Sequence, residues 1–337
     1  MSDASLFDVQ PESSCWEPRR SLFREAAVPP NVPSSPQNDQ ETSFQASYIN
    51  DQRRAQSGQK KRGIGVTKYT NKEEKSGEDP HNLLVEELNT LSLQERQQVE
   101  EEVHGVADEI KEDAQFVEEK LEELNLQINK IRKKPAYDLA LFLCPAYVTG
   151  RAFCIMLLRS ECFDVVLIAK RVVKHFEVKL ELFGVDKLVK DITYEDLDED
   201  DRANVGGSHW WLKAKDRAGR SLFFVVQKAA PKYKHPRNFV RALWWILMSG
   251  LRDEEAQKKG VVIVNYFIDL DARTQAWDSE LFLHVRKLTD ALPMRGSAHH
   301  FCFDNPKLRP VMGWIQMIIK THGRVRFRTH FGKCIVQ

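Results

Sequence analysis

The sequence predicts an α/β protein in which a helical region precedes a mixed, five-stranded sheet with flanking helices. Two observations lead to this fold class. Up to about residue 202, apolar residues recur at spacings of three, four and seven, which is typical of amphipathic helices. Beyond Asn204, short runs of β-branched and aromatic residues alternate with helical stretches, as they do around a partly parallel sheet. The 337 residues and 42% hydrophobic content allow about two domains with a substantial core.

Changes in composition divide the chain into three parts, 1–80, 81–202 and 203–337. The first part is rich in proline and poor in aromatic residues, so we predict a disordered tail there. No apolar run approaches the roughly 18 residues that span a bilayer, and the N-terminus lacks the apolar stretch of a secretory signal. The six cysteines form no CxxC pair. We therefore expect a cytoplasmic protein with reduced thiols.

The second part begins with helices whose outer face is strongly acidic. Ser92 and Glu95 have the spacing of a capping box, which marks a helix start. The apolar stripe that follows breaks its register between Ile110 and Val117. A short coiled coil is one interpretation, but the break favours helices of a bundle packed on a neighbouring domain. Further helices are predicted up to Gly184, a plausible C-terminal cap.

The acidic, glycine-containing segment 193–207 separates the helical region from the predicted sheet. Gly219 predicts the turn of a hairpin between the first two strands, and helical stretches separate the later ones. Five segments have strand composition and are bounded by Gly, Pro or Asp: HWWLKAKD, SLFFVVQK, GVVIVNYFID, SAHHFCFD and RVRFRTHF.

The net charge of +1 hides a strong asymmetry along the chain. Residues 81–202 carry 16 Lys and Arg against 27 Asp and Glu, whereas residues 203–337 carry 23 against 10. A basic block of this kind attracts phospholipid headgroups or nucleic acid, and it also favours contact between the two blocks. We do not expect nucleic acid as the partner.

Motifs for catalysis are scarce. The sequence has no GxGxxG, GxxxxGK[ST], GxSxG or HExxH, so phosphate loops, nucleophile elbows and zinc protease sites lack support. Asp269 and Asp271 follow the most apolar strand and suit a divalent ion, but acids at strand ends commonly cap the next helix. His299, His300 and Cys302 alternate across two faces of one strand, which disfavours a zinc site. We expect neither a metal nor an enzyme.

The last predicted helix, PKLRPVMGWIQMIIK, has apolar residues over more than half of its circumference. Such a helix needs apolar contacts on two sides. One side can be its own sheet, and the other can be a hydrophobic ligand, a membrane or further core. Basic residues flank the helix, as is typical of binding to an anionic bilayer: Lys320, Arg324, Arg326 and Arg328.

The order of these segments resembles that of the CRAL-TRIO lipid-binding family. LLRSECFDVVLIAKRVVKHFEVKLELFG is similar to its helical N-terminal lobe, KDRAGRSLFFV to its hairpin and GVVIVNYFIDLD to its central strand. LPMRGSAHHFCFDNPKLRPVMGWIQMIIK resembles its P-x-R strand, N-x-P turn and gate helix, and RVRFRTHFG its closing strand. The similarity covers about residues 138–332. The family's phosphatidylinositol binders have glutamate where this chain has Met294, so the resemblance does not select an inositol lipid.

The resemblance implies one lipid in a deep apolar pocket between the sheet and the gate helix. Arg295, His299 and Arg326 would lie near the lipid headgroup. Such a protein makes and breaks no bond, needs no cofactor besides the bound lipid, and associates transiently with an anionic membrane surface. Strand and gate residues would line the pocket, namely Phe223, Val225, Val262, Val264, Phe267, Phe301, Val311, Trp314, Ile315 and Ile318.

A second interpretation is a degenerate module that acts as a protein-interaction scaffold. Its acidic helices, 92–134, would recruit a protein partner, and bulky residues would fill its interior: Trp210, Trp211, Trp244 and Trp245. A metal enzyme that uses Asp269 and Asp271 is a third. Pocket volume separates the first two interpretations, because a lipid carrier needs a cavity on the order of several hundred Å³.

Overall fold

The computed structural model covers most of the chain beyond the predicted tail. Asp269 and Asp271 lie outside the described residues, as does the tail, 1–80. The side chains of residues 279, 314 and 316–318 are also outside them. The described residues are 85, 88–205, 208–226, 235–267, 279–318 and 325–332.

Five strands form one mixed sheet in the order β1-β2-β3-β4-β5. The first pair is antiparallel and the three later pairs are parallel. The predicted hairpin is confirmed, with Gly219 at its turn in a positive-φ conformation. The strands are β1 (His209–Lys215), β2 (Ser221–Val226), β3 (Val261–Phe267), β4 (Gly296–Phe303) and β5 (Phe327–Phe331).

Helices precede the sheet and connect its parallel strands, so the predicted α/β class with a five-stranded mixed sheet and flanking helices is confirmed. Short 3₁₀ turns lie at Val185–Lys187, Tyr194–Asp196 and Pro306–Leu308. The described α-helices are α1 (Leu93–His104), α2 (Ala114–Lys130), α3 (Pro135–Leu143), α4 (Pro145–Val148), α5 (Arg151–Ser160), α6 (Val165–Phe183), α7 (Glu199–Arg202), α8 (Pro236–Gly250), α9 (Glu254–Lys259), α10 (Ser279–Ala291) and α11 (Arg309–Ile318).

Two predicted helix boundaries are confirmed. Ser92 caps α1 in the expected capping box, and Gly184 ends α6 with φ at 78°. Helix α1 is shorter than its apolar pattern suggests, since that pattern continues to Ile110. The chain leaves the helix at Gly105, where φ is 71°, and residues 106–113 contain neither helix nor strand. A left-handed residue cannot continue a right-handed helix, so one glycine decides this end.

The strand register assigns each side chain to one of two faces of the sheet. Phe223, Ile263, His299 and Phe327 are lateral neighbours across β2 to β5 and lie on the face that we call the front. Their neighbours along each strand point to the back. The front packs against α6, α8, α10 and α11, and the back packs against α1. Right-handed crossovers between successive parallel neighbours place the connecting helices on one face, which explains the crowded front.

Helix α6 joins the helical region to the front of the sheet. Ile168, Val172 and Phe176 recur every four residues and are buried, so this helix has one continuous apolar side. It packs against α2, α3 and α10. No single helix among the described residues is long and apolar enough to cross a bilayer, although α3 and the stretch Pro145–Ser160 pass that test together as a pair bent by 119°.

Substituting Gly105 tests whether the end of α1 is fixed by close packing. An added Cβ would lie 2.4 Å from the Cβ of Ala218, whereas at Gly184, also at positive φ, nothing lies within 4 Å. We expect Gly184→Ala to lower the free energy of unfolding by about 1–2 kcal/mol through backbone strain alone. Gly105→Ala should cost roughly 1–3 kcal/mol more because of overpacking. Urea denaturation measures both, and equal losses would contradict the packing argument.

Candidate functional site

Four phenylalanines cover the front face where α11 packs on the sheet: Phe267, Phe301, Phe303 and Phe327, which we call the phenylalanine layer. Phe301 stacks on Phe327 with ring centres 4.3 Å apart and on Phe267 at 5.8 Å. All four residues are buried. The strand order produces this layer, because β3, β4 and β5 each contribute alternate residues to the same face.

Helix α11 closes the phenylalanine layer from above. Leu308, Met312 and Ile315 follow a helical spacing and are buried against the layer, and Val311 packs at its margin. Of the residues predicted to line a pocket, the structure therefore brings together Phe267, Phe301, Val311 and Ile315. The side chains of Trp314 and Ile318 lie outside the described residues.

Phe223 and Val225 lie on the front face but in a different cluster, toward the β1 edge. Both are buried, at 3% and 4% exposure, against α6 and α8. The ring of Trp211 packs on that of Phe223 in a tilted arrangement, with the ring centres 5.0 Å apart. The sequence placed these residues beside the gate helix, but they belong to the core that holds the helical region against the sheet.

Val262 and Val264 lie on the back face, so they do not share a surface with the phenylalanine layer. Val262 packs with Val99 and Val103 of α1, and Val264 lies at the edge of that cluster. Side chains along a strand alternate between the two faces of the sheet. Phe267 of β3 therefore cannot line the same surface as Val262 and Val264.

Arg295 and Arg326 also lie away from the phenylalanine layer, because both bind Glu102 of α1. Arg295 Nε donates to Oε1 of Glu102 at 2.9 Å, and Arg326 Nε donates to Oε2 at 2.8 Å. Arg326 makes a second contact to Oε2 through Nη2. Arg295 also donates to the carbonyl of Lys258 at 2.9 Å. We call these three side chains the Glu102 cluster.

The Glu102 cluster stays charged although it is buried. Glu102 is only 6% exposed and Arg326 likewise. Burial alone would raise the pKa of the Glu102 carboxyl, but Arg326 and Arg295 outweigh burial and hold that pKa below its ordinary value. The cluster is therefore a stable ion pair network between helix and sheet. It gives the two arginines a role other than the predicted contact with a lipid headgroup.

His299 lies on the front face between Ile263 of β3 and Phe327 of β5. Its ring is half-buried over Gly296, where an added Cβ would lie 2.6 Å from Nε2. His299 thus borders the phenylalanine layer and is the one predicted polar residue that remains on the same face.

Local sequence patterns indicate three residues that our prediction of the site omitted, Phe303, Phe327 and Glu102. Phe303 follows Phe301 by two residues and so shares its face. Thr329 of β5 is the lateral neighbour of Phe301, and Phe327 lies two residues before Thr329, so Phe327 shares that face as well. Glu102 stands beside Val99 and Val103 at helical spacing, on the buried stripe of α1. An acid on an apolar stripe requires a buried cationic partner.

A small polar cavity lies at the junction of the helical region and the sheet. Its volume of about 20 Å³ has room for one water molecule and none for a lipid. It is lined by Glu109, Ile110, Glu112, Arg159, Cys162, Phe163, Lys258 and Arg295.

The four tryptophans of the scaffold interpretation do not all lie in the interior of the protein. Trp244 is buried and packs on His175 and Phe183, and Trp211 donates Nε1 to the carbonyl of Ile246 at 2.8 Å. Trp210, by contrast, is 39% exposed on the edge strand β1. Its position is outside the interior that the scaffold interpretation assigned to it.

Lys179 is a buried base in the helical region, only 1% exposed. Its Nζ donates to the hydroxyl of Tyr147 and to the carbonyl of Lys190, both at 2.6 Å. Tyr147 in turn donates to Asp191 at 3.3 Å. Burial lowers the pKa of Lys179 to about 7, even though Asp191 and Asp196 act in the opposite direction. The group is enclosed by its partners and has the contacts of a structural residue.

Metal ligands and disulfides do not define a site within the described part of the chain. No group of three His, Cys, Asp or Glu residues there could hold a metal ion. His300 Nδ1 and His330 Nε2 lie 2.8 Å apart as a hydrogen-bonded pair on the back face. The four cysteines within the described residues are free thiols, Cys144, Cys154, Cys162 and Cys302.

No protein-family model and no curated protein matches this chain. Function is therefore inferred from two geometric features, the phenylalanine layer under α11 and the Glu102 cluster under α1.

Removal of the Glu102 carboxylate tests the second feature. Glu102→Ala leaves two buried guanidinium groups without their counter-charge, so we expect the free energy of unfolding to fall by about 3–5 kcal/mol. Glu101→Ala is the matched control, because the Glu101 carboxylate accepts an exposed hydrogen bond from Gln97, and the effect of its removal should stay within about 0.5 kcal/mol. Chemical denaturation of both variants measures the difference. Similar losses would show that the cluster adds no stability.

Lys179 should make stability depend on pH. Its pKa is about 7 in the folded chain and 10.5 when solvated, so between these values the unfolded chain binds a proton that the folded chain lacks. The free energy of unfolding should therefore rise between pH 7 and about 8.5, before most thiols and phenols titrate. Lys179→Met should flatten this rise. Parallel pH profiles for the two proteins would contradict the lowered pKa.

Proposed function

We propose that this chain is a non-enzymatic lipid-binding protein of the CRAL-TRIO type, which carries or senses a hydrophobic lipid at membrane surfaces. The observation that carries the proposal is the amphipathic helix α11, which rests on a layer of four phenylalanines, two of which, Phe267 and Phe303, lie at the carboxyl end of the parallel strands β3 and β4. Ligands of open α/β sheets bind at that end. A helix after the fourth strand and a turn at Asn305 and Pro306 before it are features that the resemblance led us to expect, and they support the proposal.

The contact between α11 and the phenylalanine layer is apolar and therefore non-directional. A lipid chain can replace it without leaving a buried polar group unpaired, and each buried methylene of the lipid contributes roughly 0.8 kcal/mol. In the proposed mechanism α11 moves away from the layer, and an acyl or isoprenoid chain takes its place against Phe301 and its neighbours. His299, at the border of the layer, is the nearest predicted contact for a polar headgroup.

Surface residues around α11 suit a membrane as the place of exchange. Lys307 and Arg309 are exposed at the start of the helix. Phe331 is 51% exposed beside them, with the Arg309 guanidinium 4.8 Å from its ring centre. Basic groups around an exposed aromatic ring favour the interface of an anionic bilayer.

The scaffold interpretation remains the second candidate, because one observation favours it. Phe301 stacks directly on Phe327, so side chains occupy the space that a ligand would need. In a scaffold, this packing would be permanent, and the acidic outer face of α2 would recruit a protein partner.

Native mass spectrometry of the full chain after incubation with mixed-lipid vesicles tests the proposal. We expect one bound lipid per chain. Ile315→Trp should abolish loading by filling the space under α11, whereas Ile315→Ala should preserve or increase it. Val264→Trp is the control for added bulk, because it places the same ring on the back face.

Circular dichroism confirms that each variant is folded before loading is compared. An empty, folded wild-type protein with every lipid mixture would favour the scaffold. Equal losses in Ile315→Trp and Val264→Trp would show that the phenylalanine layer is not where lipid binds.

A further inference from the structure

The segment from Glu100 to Glu112 lies across a basic surface of the sheet region. We call this segment the acidic strap. Glu100 binds Nη2 of Arg328 at 2.8 Å, and Glu102 binds Arg295 and Arg326 as described above. The strap therefore covers cations at the starts of two adjacent strands.

The second half of the acidic strap continues the same pattern. Glu109 lies 3.6 Å from Nζ of Lys259. Glu112 accepts three hydrogen bonds from Arg159, two from Nε at 2.8 and 3.0 Å and one from Nη2 at 2.5 Å. Four carboxylates spaced over thirteen residues are thus each placed on a cation of another element. Each of these strap carboxylates therefore contacts a cationic side chain on the surface beneath it.

Beneath α1, the covered surface has an apolar centre. Val262, Ala298 and Val325 pack against Val99 and Val103 of α1 and are all buried. Removal of the strap would expose this centre with cations around it. The cations are Arg159, Arg220, Lys258, Lys259, Arg295, Arg326 and Arg328. Four of them keep an acid outside the strap, since Arg159 and Lys258 pair with Glu254, Lys259 with Glu255 and Arg220 with Asp216.

The strap has the features of a segment that can open locally. An isolated helix of 12 residues, the length of α1, is marginal in water, so α1 depends on its docking contacts. The outer pairs contribute little, since the side chains of Glu100 and Glu109 are 52% and 66% exposed. Val106 and Ile110 are also exposed. Opening therefore requires the loss of the Glu102 and Glu112 contacts, of the apolar contacts of Val99 and Val103, and of the hydrogen bonds from Arg220 to the end of α1.

We propose that the acidic strap is autoinhibitory: it occupies a basic surface that binds an anionic membrane when the strap is released. The inference deepens the proposed lipid-binding function and rests on it for the choice of a membrane as partner. Cations that ring an apolar centre are the pattern that a bilayer interface with anionic lipids selects. The strap carboxylates take the places that lipid phosphates would occupy.

The test compares two full-length variants with the same change in net charge. Glu100→Gln, Glu109→Gln and Glu112→Gln together weaken the strap. Glu118→Gln, Glu119→Gln and Glu122→Gln together remove three acids from α2, outside the strap. Hydrogen exchange of the amides of residues 93–104 reports opening, and sedimentation with phosphatidylcholine vesicles, with and without phosphatidylserine, reports binding.

We expect the strap variant to show faster exchange in α1 and tighter binding to phosphatidylserine vesicles, by roughly fivefold for the release of Arg328 and less for Lys259 and Arg159, which keep Glu255 and Glu254 as partners. The gain should vanish at about 0.5 M NaCl, where exposed charges are screened. The α2 variant should behave like the wild type in exchange and gain far less in binding. Equal gains in both variants would overturn the proposal, because net charge alone would then explain them.

Val103→Asp opens the strap by a different route, since it places a carboxylate in the apolar cluster under α1. Faster exchange without vesicle binding would overturn the membrane proposal, as would a gain for a single-stranded oligonucleotide but not for vesicles. Unchanged exchange in this variant and in the strap variant would overturn the idea that the strap is releasable.

Lipid loading, measured by mass spectrometry, separates this inference from the proposed function. Loading without a vesicle gain rejects the strap alone. A vesicle gain without loading rejects the pocket and leaves a surface that docks on membranes.

Discussion

A buried carboxylate between two arginines fixes the arrangement of helix and sheet. Arg295 and Arg326 immediately precede β4 and β5, two adjacent parallel strands. Their guanidinium groups would repel each other in a buried position without a counter-charge. Glu102 supplies that charge from α1, and each of its oxygens binds one arginine. Because an unpaired buried charge is so costly, this cluster fixes the position of α1 while the helix is docked on the back of the sheet.

Arginines also bind backbone carbonyls at or near the C-terminal ends of three helices, α1, α6 and α10. Arg220 donates to the carbonyls of Glu102 and Val103 at the end of α1, and Arg237 donates to two carbonyls at the end of α6. Arg171 of α6 reaches the carbonyl of Leu292, just beyond α10. Free carbonyls at a helix C-terminus attract cations. The charge asymmetry of the sequence thus becomes a set of contacts between the acidic and basic parts of the chain.

The two faces of the sheet have different physical characters. At the phenylalanine layer, the front is held to α11 by apolar contacts among the described side chains. The back combines an apolar centre with ion pairs, whose strength depends on ionic strength and on competing anions. In the proposed function, the front takes up the hydrophobic ligand and the back docks on the membrane by electrostatic attraction.

The sequence by itself determined the α/β class, all five strands and the ends of several helices, because period, capping residues and turn glycines act within a few residues of the chain. It also identified Phe267, Phe301 and Ile315 as apolar residues of one surface. Only the tertiary structure decided which strand faces meet which helices. The choice between the two sides of β3 depends on pairing with β2 and β4, and the partner of Glu102 lies 193 residues away. Such contacts follow from packing of the whole sheet, which local sequence patterns do not encode.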